Sequence, residues 1–113
     1  MTDKPDNERE DAGEELVLDD IIDLEEYAKL GKQPPLSKGY RIRINGDAYV
    51  VQDPVVTGRQ ILTLAGLTPA ENYTLRVKMV GAKPEKVGLD EKVDLRRKGV
   101  EKFKALPRDQ TEG

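Results

Sequence analysis

Apolar and polar positions change rhythm several times along the chain, and each change marks an element. Tyr40-Arg41-Ile42-Arg43-Ile44 alternates apolar with cationic residues, Asn45-Gly46 is the preferred pair for a two-residue type I′ turn, and Asp47-Ala48-Tyr49-Val50-Val51 returns. That spacing predicts a β-hairpin. With a two-residue turn Ile42 faces Tyr49 and Tyr40 faces Val51, so these four share the core face while Arg41 and Arg43 point to the other side. Pro54 ends the second strand, and Thr57-Gly58-Arg59-Gln60 has the spacing of a capping box. A short helix is expected there, with Ile61, Leu62, Leu64 and Ala65 as its buried stripe. Gly66 suits the left-handed closing residue and Leu67 folds back over the last turn. Tyr73 to Met79 alternates again, with Tyr73, Leu75, Val77 and Met79 on one face and Arg76 and Lys78 on the other. Residues 81–88 read as loop and Val93-Asp94-Leu95 as a short edge element. Val100 to Leu106 reads as a last strand with Phe103 and Ala105 inward, Lys102 and Lys104 outward, and Pro107 as its stop.

Ahead of the hairpin the rhythm is different. Residues 1–15 are charged and polar with almost no apolar side chain, too little to offset chain entropy, and are expected to be disordered. From Leu16 to Leu30 large apolar residues, among them Leu18, Ile21, Ile22, Leu24 and Tyr27, alternate with carboxylates. That pattern fits either an amphipathic helix around Asp20–Leu30 or an extended motif that docks by adding a strand to a sheet edge. Gly31 and Pro34-Pro35 stop a helix and form a stiff spacer. The expected organisation is an acidic, largely disordered extension over residues 1–38 with a docking segment at 16–30, a folded domain over 39–106, and a flexible tail over 107–113.

Composition narrows what such a chain can do. It has 113 residues, 36% of them hydrophobic, enough for one core and not for two. It contains no Cys and no His, so the usual nucleophilic thiol, the side chain that titrates near neutral pH and the commonest soft metal ligands are all missing. Ser37, the Thr residues, Lys and the carboxylates show no spacing of a nucleophile with its base. The expectation is a protein that is not an enzyme, with no cofactor and no metal site. No apolar run approaches the roughly 20 residues a membrane span needs, and the acidic start has no signal-peptide core, so a cytoplasmic protein without membrane contact is expected. The net charge of −3 conceals an asymmetry. Residues 1–30 carry twelve Asp or Glu against three Lys or Arg, a net of −9, and the remainder is +6. An acidic tail on a mildly basic domain argues against nucleic acid as partner, and makes self-association or an intramolecular clasp as plausible as an external ligand.

A hairpin, a helix packed across it, a middle strand, a short edge piece and a last strand running into a tail is the element order of the β-grasp fold, and resembles ubiquitin. Tyr40-Arg41-Ile42-Arg43-Ile44-Asn45-Gly46, Thr57-Gly58-Arg59-Gln60-Ile61-Leu62, Ala65-Gly66-Leu67-Thr68-Pro69, and Val93-Asp94-Leu95 with Gly99-Val100-Glu101-Lys102-Phe103 are together similar to the bacterial multiubiquitin family. The resemblance spans roughly Leu24 to Gly113, including the acidic Asp-Leu-Glu-Glu-Tyr lead-in. It implies an α+β fold: a single ubiquitin-like β-grasp domain, a mixed sheet with one short helix across it. It also implies conjugation, with an activating enzyme, a conjugating enzyme, a deconjugating metallopeptidase and target proteins as partners. The chain departs from the family in having room for one repeat rather than several, and from ubiquitin in ending Glu112-Gly113 rather than Gly-Gly.

Three sites follow. Gly113 is the expected conjugation residue, because an activating enzyme draws a carboxylate down a narrow channel where a Cβ would collide; residues 107–113 reach roughly 20 Å when extended. Arg41, Arg43, Arg76, Lys78, Lys102 and Lys104 should stand together on the sheet face away from the helix, as a basic partner-binding surface or a merely solvated face. Leu18, Ile21, Ile22, Leu24 and Tyr27 form the docking segment, against the alternative of a solubilising tail. The expected function is a ubiquitin-like modifier. A sulfur carrier using a C-terminal thiocarboxylate has the same fold, and the acidic extension and family-like segments count against it; a non-covalent adaptor is the third reading.

Overall fold

The computed structural model describes the backbone of residues 18–108 and the side chains of residues 21–108. The expected disorder of residues 1–15 therefore lies outside the described residues. In chain order the elements are β1 (Leu18–Asp23), α1 (Leu24–Lys29), β2 (Ser37–Ile44), β3 (Asp47–Val51), β4 (Val55–Thr57), α2 (Gly58–Leu64), a 3-10 turn (Ala70–Asn72), β5 (Tyr73–Met79), β6 (Glu85–Val87), β7 (Lys92–Asp94) and β8 (Val100–Pro107).

The β2–β3 hairpin has the register its turn dictates, Ile42 opposite Tyr49 and Tyr40 opposite Val51. Asn45 and Gly46 both take positive φ, 54° and 90°, as a type I′ turn requires. Asn45 does a second job: its amide donates to the Ala105 carbonyl at 3.0 Å and accepts the Ala105 N–H at 2.8 Å, standing in for a backbone unit between hairpin and last strand. β8 runs parallel to β2, meeting it at Ile44 opposite Phe103, and antiparallel to β5 from Tyr73 opposite Pro107 to Met79 opposite Val100. The strand thus continues through the proline expected to end it. β6 pairs antiparallel with β5, and β4 with β7 forms a separate two-stranded sheet.

α2 begins with a complete capping box. The Gln60 N–H donates to Thr57 Oγ1 at 3.2 Å and the Thr57 N–H to Gln60 Oε1 at 2.8 Å. It ends in a Schellman motif: Gly66, at φ 75°, donates to the Thr63 carbonyl and Leu67 to that of Leu62. Its buried side chains are Ile61 and Leu62; Leu64, expected in the stripe, is exposed, because in a seven-residue helix it turns away from the sheet. Ile42, Ile61, Leu75 and Phe103 are all nearly inaccessible and belong to one core with Tyr40, Ile44, Val77 and Leu95. A mixed sheet with one main helix across it in a single unit is the expected fold class.

Two segments read differently in structure than in sequence. Residues 81–88, expected as loop, contain β6, whose Val87 faces Leu75 in the core. The folded unit also takes in residues ahead of Gly39. β1 runs parallel to β2, Ile22 opposite Tyr40 and Asp23 opposite Arg41. Tyr40 and Arg41 also pair with β3, so β1 must lie on the other edge of β2, which it shares end to end with β8. Asp23 caps α1, accepting from the Glu25 and Glu26 N–H groups, so the segment read as either extended or helical is one after the other.

Candidate binding surfaces

Alternation along β2, β5 and β8 sends Arg41, Arg43, Arg76, Lys78, Lys102 and Lys104 to the face opposite the core residues beside them. That face is electrostatically divided. At β2 the lead-in supplies carboxylates: Arg43 donates to Asp23 Oδ2 at 2.9 Å through its terminal nitrogen and to Glu25 Oε1 at 3.0 Å through Nε, while Arg41 stands 3.9 Å from Asp23. Lys29, one turn along α1, reaches Glu25 at 3.4 Å. The Arg43 hydrogen bond lowers the Glu25 carboxyl below its ordinary value; partial burial opposes this, and the charges of Lys29 and Arg43 add to it.

At β5 and β8 the pairing is like with like. Arg76 lies opposite Lys104 and Lys78 opposite Lys102. Lys78 donates to the Met79 and Ala82 carbonyls at 2.9 and 3.1 Å. The docking segment is placed residue by residue as follows. Ile22 and Leu24 are buried, Tyr27 packs half-buried against the core and Ile21 is 38% exposed; of Leu18 the structure gives the backbone, beside Ser37. Gly39 lets Ile21 approach β2, since a Cβ there would meet Ile21 Cδ1 at 2.8 Å. Gly113 lies outside the described residues. The last described contact is the Arg108 N–H donating to the Asn72 carbonyl at 2.7 Å.

Sequence reasoning missed Asp23, Glu25 and Asn45. The first two are carboxylates like many neighbours until a parallel register sets them beside Arg43; Asn45 was legible as a turn residue alone. Arg59 and Glu71 form an exposed ion pair at 2.7 Å, a contact that raises the pKa of Arg59 and lowers that of Glu71. Among the described residues no three His, Cys, Asp or Glu side chains gather where they could hold a metal, and no helix is long and apolar enough to cross a membrane.

A mixed sheet with β2 and β8 parallel at its centre, a hairpin on one side and α2 across it defines a ubiquitin-like protein of β-grasp type. The family model for multiubiquitin matches residues 40–108, and the chain belongs to that family. The match starts at Tyr40, so β1 and α1 lie ahead of it. No curated protein and no solved structure matches the chain.

Proposed function

We propose that the protein is a cytoplasmic ubiquitin-like modifier joined to target proteins through the carboxylate of Gly113, and that it has no catalysis of its own. In the first step that carboxylate attacks ATP in a partner activating enzyme, forming an acyl adenylate and releasing pyrophosphate. An enzyme cysteine thiolate then displaces AMP to give a thioester. A target amine displaces the thiol, with or without a conjugating enzyme between, and a deconjugating metallopeptidase hydrolyses the product. The observation that carries this reading is membership of the multiubiquitin family over the body of the domain, residues 40–108. The path of the chain supports it: β8, flanked by β2 and β5, leads directly into the residues that end in Gly113.

The test is incubation with the cognate activating enzyme and ATP. A thioester sensitive to reductant should form with the protein and be lost when Gly113 is deleted. A thioester formed equally well without Gly113 overturns the mechanism.

A further inference from the structure

The four cations of β5 and β8 are poorly balanced by carboxylates, although Lys78 is also held by the Met79 and Ala82 carbonyls. Like charges directly opposite on one sheet face repel. Lys78 and Lys102 share a single carboxylate, Glu101, at 3.9 and 3.8 Å, and Arg76 and Lys104 have no ion pair among the described residues. Together with Pro84 and the half-exposed Leu106 they line a groove of about 470 Å³. A second hollow of about 210 Å³ shares Arg76, Lys104 and Leu106 and extends to Arg108. Exposed strand positions accept many polar residues, so nothing in the ladder itself calls for this arrangement.

We infer that this groove binds an acidic, apolar peptide segment of another protein, its carboxylates set over Arg76, Lys78, Lys102 and Lys104 and an apolar side chain over Leu106. The same sheet face already shows the ionic half of this chemistry. At β2, Arg41 and Arg43 are met by carboxylates of the lead-in, whose Ile22 and Leu24 are buried on the core side. Strand addition at this groove has little free edge to use, since β8 pairs with β5 along its length, meets β2 at Ile44 and has the Ala105 N–H and carbonyl taken by Asn45, while β5 pairs with β6 over Leu75–Val77; the peptide lies across the face and binds through side chains. Facing cations are about 5 Å apart across strands and about 7 Å apart along one, spacings that carboxylates three or four residues apart on a helix, or two apart on a strand, can match. A nucleic acid fits less well. It needs cations along a continuous backbone track, and here the track is cut short where Asp23 and Glu25 neutralise β2 and Glu101 projects among the lysines.

The experiment is an NMR and calorimetric titration of the full chain with a synthetic peptide of residues 19–27, an acidic, apolar sequence of the kind inferred. Shifts should centre on Arg76, Lys102, Lys104 and Leu106, and affinity should fall as salt is raised. Lys104→Glu sets a carboxylate opposite Arg76, so it should hold or raise the melting temperature while weakening binding about tenfold. Arg76→Gln should weaken binding by a few fold, and Lys92→Glu, on β7, should leave it unchanged. Shifts confined to β1 and Arg43 would mean exchange with the lead-in and overturn the inference. So would Lys104→Glu and Lys92→Glu behaving alike, or a hexathymidylate or inorganic phosphate binding the groove more tightly than the peptide. No conjugating enzyme is present, so failure here leaves the modifier reading standing.

Discussion

The β2–β3 hairpin and the β1–α1 lead-in rest on the same sheet and hold to it by different means. The hairpin is closed by its own two-residue turn and sends Tyr40, Ile42 and Ile44 into the middle of the core. The lead-in has a parallel ladder interrupted between Leu18 and Ile21, three buried side chains in Ile22, Leu24 and Ala28, and a set of ion pairs on the opposite face. Removing the hairpin would open the core. Removing the lead-in would uncover one edge of β2, two arginines and the flank of the core covered by Ile22 and Leu24. Stability should therefore be graded, with a body that unfolds as one unit and a lead-in that detaches at lower free energy.

The hardest blow to the body is Leu75→Ala, which should cost about 2–5 kcal/mol and lower the melting temperature of the whole domain. A variant melting like the parent would mean that β5 does not carry the core. Leu24→Ala should cost about 2–3 kcal/mol, near the low end for a buried leucine because the lead-in can leave instead of enclosing a cavity. Amide exchange should then accelerate in residues 18–29 while Tyr40–Ile44 keep their protection; equal acceleration in both would erase the distinction between the regions. Arg43→Ala should cost about 1 kcal/mol, since its partly exposed pairs are discounted by solvent, again with the loss read in the lead-in.

Acid should act in the same place. The Glu25 carboxyl titrates lower folded than unfolded, so its contribution is complete above its ordinary value near 4.5 and is lost as pH falls through the lower folded value. Exchange protection of α1 should drop below about pH 4.5, and Glu25→Gln should remove that dependence. The smallest effect is expected at Glu71→Gln. Its pair with Arg59 is exposed, and the melting temperature should not move measurably.

What could be read from sequence was what local chemistry decides. Asn45-Gly46 fixes the hairpin register, Thr57 and Gln60 cap α2, and Gly66 closes it, all within a few residues of chain. β6 was invisible because Val87 is its one buried side chain among charged neighbours; the strand exists because β5 offers an edge to pair with. The lead-in pattern fits both a strand and a helix, and Asp23 divides the two, its side chain ending the extended run by capping α1. The six cations could be assigned to one face by alternation alone. That two of them would be neutralised by Asp23 and Glu25 depends on a parallel register between β1 and β2, and no local signal encodes it.

The setting of β8 has a mechanical consequence. It is gripped along the whole of β5, touches β2 at Ile44, and has the N–H and carbonyl of Ala105 held by the Asn45 amide. A force applied at Arg108 along the axis of β8 stretches the bonds to β5 together in shear, and they do not open one after another as in a zipper. A load from the other end of the molecule meets β1 first, whose interrupted ladder and surface ion pairs can give way one by one. Load entering through β8 is therefore shared among many bonds at once, and load entering through β1 is not.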